Sequence, residues 1–162
     1  MELVRVDNEQ GWLFAEAFLN ETVERCNQRD IPLWTHEQVC MDVLKKSYPA
    51  DSLYLFRYQG NFVGCVFIVS GADEIWSDID GSDSLFFHKL AIGDKYLSQG
   101  LGHLALEGIV QMAKNCGLSW LRCDCRAQRP RLRAFYERFG FCYVDTKELS
   151  GLALARYQLP TV

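Results

Sequence analysis

Two glycines one residue apart stand in Gln99-Gly100-Leu101-Gly102-His103, between a strand-like run ending at Ile92 and an amphipathic stretch reaching about Cys116. Glycines so placed let a loop turn tightly and present successive N–H groups at a helix start. There the first four amides have no internal partner and the helix dipole favours an anion. The chemistry this suits is the binding of a phosphate or pyrophosphate. Some thirty residues later Phe135-Tyr136-Glu137-Arg138-Phe139-Gly140-Phe141 carries a phenol, a group that holds its proton at neutral pH and can donate it. An imidazole, His88, lies on the strand that leads toward the glycines.

These residues need elements to position them. Leu3–Val6 reads as a short strand, and Asn8 as the N-cap of a helix over Glu9–Gln28 whose apolar set is Trp12, Ala15, Phe18, Leu19 and Val23. Thr35 is expected to cap a second helix reaching about Lys46, with Glu37 in its first turn and Lys45 and Lys46 in its last. Leu53–Tyr58 and Phe62–Ser70 read as strands joined by a hairpin at Gln59-Gly60-Asn61. Gly71–Asp83 reads as a loop carrying Asp73, Glu74, Asp78, Asp80 and Asp83, and Ser84–Ile92 as a strand. The helix after Gly100 presents Leu101, Leu104, Ala105, Gly108, Ile109 and Met112, and Gly117 stops it. Leu118–Cys123 follows as a strand, then a helix over Arg131–Phe139 between Pro130 and Gly140, then a closing pair, Phe141–Asp145 and Leu152–Leu159. Antiparallel strands before one strand-helix-strand crossover predict a mixed α/β (α+β) fold rather than a fully parallel sheet.

Composition sets the outer limits. A chain of 162 residues, 49% apolar and 13% aromatic, fits one domain over residues 1–162 with a core that needs no staples. The net charge of −4 supplies no footprint for nucleic acid. The longest mostly apolar run, Phe62–Val69, is a strand's length, well below the ~20 residues of a membrane helix. With no secretory h-region at the start, a soluble cytoplasmic protein with reduced thiols is expected. Of the seven cysteines only Cys123 and Cys125 are close together, and their period-2 spacing fits packing on one strand face better than a metal site.

The strand-end triplet Leu90-Ala91-Ile92, the Gly100/Gly102 loop opening a helix, and the Tyr136-Glu137-Arg138-Phe139-Gly140-Phe141 helix end are together similar to the hallmarks of the GNAT superfamily of N-acetyltransferases. The likeness runs through essentially the whole chain. Gly100-x-Gly102-x-x-Ala105 with Asp124 downstream also satisfies a dinucleotide fingerprint. That motif wants the strand to run straight into the first glycine, whereas seven residues separate Ile92 from Gly100 here.

The resemblance implies a mixed, largely antiparallel sheet flanked by helices. It also implies acetyl-CoA (coenzyme A) as co-substrate without a metal, and direct acetyl transfer to a primary amine in a ternary complex. Holding both partners supplies proximity, and the Leu90 N–H is the family's usual oxyanion donor. Leu90, Ala91, Ile92, Gln99, Gly100, Leu101, Gly102 and His103 are the expected cofactor contacts. Leu97 replaces the family's Gln/Arg three residues before Gly100, and Arg129 stands where an Asn commonly meets the pantetheine arm. Tyr136 is expected beside the cofactor as general acid for the departing thiolate, a packed tyrosine being the alternative. Primary amines arrive mostly protonated, so a base or water chain is needed. His88 is the candidate, two residues before Leu90 on the strand where some aralkylamine acetyltransferases carry a base histidine, a packed strand histidine being the alternative; the histone-type Glu position is Phe86.

The segment holding Trp34 and His36 borders the acceptor site in this family, so the two residues either line that site or pack at the surface. Asp73 and Glu74, in the acidic loop, either attract a cationic acceptor or belong to a merely solvated loop. The acceptor expected is a small-molecule amine. A protein N-terminus or lysine, and a non-catalytic acyl-CoA-binding module, are the alternatives. Neither nucleic acid nor membrane is expected as a partner, and homodimerisation is left open.

Overall fold

The computed structural model describes residues 1–162. Its elements are β1 (Glu2–Arg5), α1 (Glu9–Gln28), α2 (Met41–Ser47), β2 (Leu53–Tyr58), β3 (Asn61–Gly71), β4 (Gly81–Ile92), α3 (Leu101–Asn115), β5 (Trp120–Arg126), α4 (Pro130–Phe139), β6 (Cys142–Leu149) and β7 (Leu152–Pro160). The seven strands hydrogen-bond in the order β1-β2-β3-β4-β5-β7-β6. β4 and β5 run parallel, with Ser84–Phe86 in register with Trp120–Arg122. β5 and β6 each pair antiparallel with β7, which lies between them. This is the mixed, mostly antiparallel sheet expected. No helix is long and apolar enough to cross a membrane.

The chain folds as two compact units, one of residues 1–68 and 89–108, the other of residues 69–88 and 109–162. In the first, α1 begins where Asn8 accepts a hydrogen bond from the Gly11 amide at 3.0 Å. Its buried face, Trp12, Ala15, Leu19 and Val23, packs into one core with Leu53, Leu55, Cys65 and Phe67. Each fully buried aliphatic side chain there contributes roughly 1.5–3 kcal/mol. The β2–β3 turn places Gln59 and Gly60 at φ 49° and 80°, the left-handed pair a two-residue hairpin requires.

In the second unit Ile75, Trp76 and Phe86 form a small core flanked by Val69, Ile79, Leu149 and Leu154. An aromatic group, Phe87, Tyr136, Phe141 and Tyr157, forms another. Gly140, at φ 118°, ends α4, its amide reaching the carbonyls of Tyr136 and Glu137.

Several boundaries differ from the sequence reading. The single helix expected from Thr35 to Lys46 is a 3-10 turn over Glu37–Val39 followed by α2, broken by extended Cys40. Thr35 and Gln38 exchange backbone-to-side-chain hydrogen bonds, which caps only the short turn. β4 starts at Gly81 rather than Ser84. β5 reaches Arg126 and β6 extends to Leu149, because antiparallel pairing with β7 carries polar residues into the ladder.

Candidate active site

In the first unit the end of β4 is held by close packing. A Cβ on Gly64 would lie 2.2 Å from the Ala91 carbonyl oxygen, so only glycine permits this approach of β3 to β4. Just beyond the strand, the Gly93 amide donates to the Val63 carbonyl at 2.9 Å. Upstream, Lys89 sits at φ 51°, a left-handed conformation costing a non-glycine residue about 1 kcal/mol or more. Such a kink inside a strand re-aims the peptide groups that follow, here those of Leu90 and Ala91. The Lys89 ammonium lies 4.4 Å from the Trp34 ring centroid, a cation–π contact that ties the kink to the segment before α2. Nothing about a lysine in a strand-like run signals this conformation.

The stretch between β4 and α3 is gripped by the last turns of α1. Glu21 accepts from the Asp94 amide at 2.6 Å, and the Arg25 guanidinium pairs with the Asp94 carboxylate. The sequence reading missed both, since neither lies near the glycines in the chain. Beyond them Ser98 and Gly100 take φ 60° and 75°, flanking Gln99. Left-handed residues alternating this way curl successive N–H groups into a concave anion-binding nest, and the start of the fifteen-residue α3 adds its first-turn amides. A Cβ on Gly100 would meet nothing within 4 Å, so glycine is demanded by backbone conformation and not by space. Leu101 is buried and anchors the helix start, and Gln99 donates to the Lys95 carbonyl at 3.0 Å. Main-chain amides at a helix start suit an anion such as a pyrophosphate and do not depend on the side chain at Leu97.

The other expected residues of this unit are engaged at the surface. His36 meets Asn20 at 2.6 Å and Glu24 at 2.8 Å, residues one turn apart on α1. His103 lies 3.4 Å from Glu107, one turn along α3.

In the second unit Tyr136 is buried, its ring edge-on to Phe87 at 6.0 Å and to Phe141 at 5.6 Å, and tilted against Tyr157 at 5.8 Å. Burial, and after it the neighbouring Cys123 thiol, pushes the phenol well above its ordinary value of 10.0. It therefore keeps its proton throughout the physiological range. Cys123 and Cys125 are buried as well. Burial raises both thiols, Cys125 to about 11, so both stay protonated and pack as small apolar groups.

His88 is the next residue along β4 after Phe87, and it projects from the other face of the strand. Its Nε2 lies 2.6 Å from Asp73 Oδ2, and its Nδ1 lies 4.0 Å from Asp124 Oδ1. Asp73 also accepts from the Ile75 amide at 3.1 Å. Asp73 is half-buried and pairs with His88, while Glu74 is exposed. Asp73 and Glu74 line a cavity of about 450 Å³ together with Trp76, Ser77 and Ile79.

The acidic loop over residues 72–80 is not merely solvated. Arg156, buried on β7, spends all five of its N–H donors at its base, on both oxygens of Asp78, both oxygens of Asp145 and the Ile75 carbonyl. Its guanidinium stacks 4.4 Å from the Trp76 ring centroid. A lone arginine in an alternating β7 run gave no sign of this role. Arg129 stands at the N-cap of α4, and the nearby Arg133 donates to the Tyr157 hydroxyl at 2.8 Å.

The Acetyltransferase (GNAT) family matches residues 12–141. YesJ of Bacillus subtilis strain 168, described as an uncharacterised N-acetyltransferase, is 25% identical over 106 residues, 63% of this chain and 58% of that protein. A Desulfovibrio desulfuricans protein assigned to the GNAT family superposes with a TM-score of 0.73 at 17% identity, covering 99% of each chain. A GNAT acetyltransferase from Elizabethkingia anophelis, solved with acetyl-CoA bound, superposes over 67% of this chain and 74% of its own with a TM-score of 0.52 at 18% identity.

Proposed function

Because the chain belongs to the GNAT acetyltransferase family, we propose that it moves an acetyl group from acetyl-CoA directly to the primary amine of a small molecule, both substrates being bound at once. Acetyl-CoA supplies an activated thioester and a thiolate that departs. The backbone nest over residues 98–103 binds the pyrophosphate with main-chain N–H groups, and the Leu90 amide after the Lys89 kink is the donor to the thioester oxygen.

The observation that carries the reading is the opposition of Tyr136 and His88 about β4. Tyr136 packs on Phe87, whereas His88, one residue later, turns to Asp73. Direct transfer needs an acid where the sulfur leaves and a base where the amine enters, and these are different places. Tyr136 Oη holds the proton for the sulfur, and burial keeps that phenol protonated at neutral pH until a thiolate develops beside it. His88 takes a proton from the incoming ammonium and releases it to water. The buried, protonated Cys123 and Cys125 offer no thiolate to carry the acetyl group, which favours direct transfer over a covalent relay.

The test pairs binding with turnover. Acetyl-CoA at micromolar concentration should raise Tm while NAD leaves it unchanged, and a panel of amines and peptides followed by thiol release should give turnover with small primary amines. A melting shift with NAD alone would remove the cofactor assignment. Turnover confined to peptides would move the acceptor to a protein.

A further inference from the structure

We propose that Trp34 and Lys89 are positioning residues for acetyl transfer. The Trp34 indole holds the Lys89 ammonium, and with it the left-handed turn inside β4 that aims the Leu90 N–H at the thioester oxygen. The proposal rests on the acetyltransferase reading above and adds to it the side chains that set the oxyanion donor. All of them lie in the first unit.

Five non-glycine residues take a positive φ, and four of them stand where a change of chain direction calls for it. Asp30 follows the end of α1, Gln59 and Ser150 sit at the tips of the β2–β3 and β6–β7 hairpins, and Ser98 precedes the glycine loop. Lys89 alone lies inside a strand, at φ 51°. An extended strand gives no local reward for that conformation and the β-carbon opposes it, so contacts beyond the residue's own backbone must hold it.

Such contacts stand on both sides of Leu90. Upstream, the Lys89 ammonium lies 4.4 Å from the Trp34 ring centroid and both residues are half-buried, where a cation–π contact is stronger than in open water. Trp34 is itself packed against the core of the first unit, so its ring is a fixed platform. Two residues on, His36 pairs with Asn20 and Glu24 of α1, which ties down the segment carrying that platform. Burial raises the thiol of Cys65 on the adjacent β3 and the Lys89 charge partly offsets this, which places the ammonium close to the sheet. Downstream, the Ala91 carbonyl is pressed against Gly64, and the Gly93 amide is bonded to the Val63 carbonyl at 2.9 Å. With that end pinned, any straightening at Lys89 falls on the planar peptide between Lys89 and Leu90, the one that carries the donor N–H. An oxyanion donor acts only when it is in range of the developing charge and aimed at it.

The first measurement needs no acetyl-CoA. In protein labelled with ¹³C at lysine, the Lys89 ε-methylene signal is identified by its loss in Lys89→Ala. It should lie upfield under the ring current of Trp34 and return to the ordinary lysine position in Trp34→Leu. The second is the infrared carbonyl stretch of acetyl-CoA labelled with ¹³C at the acetyl carbonyl, recorded without acceptor. Binding to the wild type should lower the frequency, as a hydrogen bond to that oxygen does, and Trp34→Leu and Lys89→Ala should return it toward the free value. Lys89→Gly discriminates further. Glycine weakens an ordinary strand more than alanine does, yet it takes φ 51° without strain. Lys89→Gly should therefore keep the lowered stretch and exceed Lys89→Ala in kcat by roughly threefold or more. Trp34→Leu should lose roughly tenfold in kcat with KM for acetyl-CoA nearly unchanged, and Trp34→Phe, which keeps an aromatic face, should fall between it and the wild type.

A Lys89 signal at the ordinary position in the wild type, a carbonyl stretch that neither Trp34→Leu nor Lys89→Ala moves, or Lys89→Ala equal to or better than Lys89→Gly would each overturn the proposal. Should Trp34→Leu fail to fold, Trp34→Phe and the two Lys89 variants decide in its place. If acetyl-CoA does not bind the wild type, the enzyme reading falls and the proposal with it. If it binds with a lowered stretch that survives Trp34→Leu, the enzyme reading stands and the proposal alone falls.

Discussion

Arg156 and Asp78, 78 residues apart in the chain, are joined by two hydrogen bonds of 2.5 and 3.1 Å, and this pair closes the base of the loop that carries Asp73. Asp145 takes two further donors from the same guanidinium, and Lys147 approaches Asp78 at 3.3 Å. A residue buried on β7 thereby sets the shape of a loop whose own sequence is acidic and polar.

The Arg156 cluster makes stability depend on acid in a defined direction. Hydrogen bonds from Arg156 are the largest cause holding Asp78 and Asp145 below the ordinary carboxylate value of 3.8. A carboxylate whose folded pKa is depressed contributes stability above its unfolded pKa and loses it as pH falls through the folded value. Asn at position 78 carries no charge at any pH. The Tm gap between wild type and Asp78→Asn should therefore be full at pH 7 and close progressively below about pH 4. Thermal unfolding from pH 2 to 7 checks this, and a gap that widens in acid contradicts it.

Tyr136→Phe removes one oxygen and keeps the ring stack with Phe87 and Phe141. If the phenol donates the proton, kcat should fall by roughly 10²-fold or more. Tm and acetyl-CoA affinity should hardly move, because the aromatic packing persists. Steady-state kinetics beside a melting curve separate the two roles, and unchanged kcat would leave Tyr136 as a packing residue.

Gly100→Ala tests the nest. The added methyl meets no atom within 4 Å, so the whole cost is that of holding alanine at φ 75°, roughly 1–2 kcal/mol. Relief of that strain flattens the curl of N–H groups, so acetyl-CoA should bind about five- to tenfold more weakly, with only a few degrees lost from Tm. Isothermal titration reads the first effect and calorimetry the second.

Gly64→Ala is a contrasting glycine change. Here the backbone conformation is ordinary, but the new Cβ would sit 2.2 Å from the Ala91 oxygen. The strands must part, and a loss of roughly 1–3 kcal/mol is expected from overpacking. Since Ala91 follows Leu90, kcat should fall with Tm in this variant. Full activity at lowered Tm would show that the Leu90 amide tolerates displacement.

The boundaries of α1, the Gln59-Gly60 hairpin and the Gly140 cap could be read directly because each is a local matter. A cap lies three residues from the amide it satisfies, and a turn glycine answers to its own φ. The break at Cys40 escaped the same reading. Thr35 and Gln38 cap each other locally, and nothing in Met41–Ser47 shows that the chain must extend before continuing. The polar run Asp145–Glu148 entered β6 only because β7 lies beside it.

The candidate site divides along the same line. Its glycine loop, the phenol of Tyr136 and the imidazole of His88 were evident as residue types at telling positions, because their chemistry belongs to single side chains or to a few consecutive amides. What surrounds them was decided by the fold alone. The Asp73 contact with His88, the 4.0 Å gap to Asp124, the Arg156 cluster and the left-handed Lys89 each join residues distant in the chain or impose a conformation the residue does not prefer. Spacing along the chain determines which groups can react. Contacts between segments distant in the chain determine what those groups meet, the Asp73 carboxylate beside His88 and the aromatic rings around Tyr136.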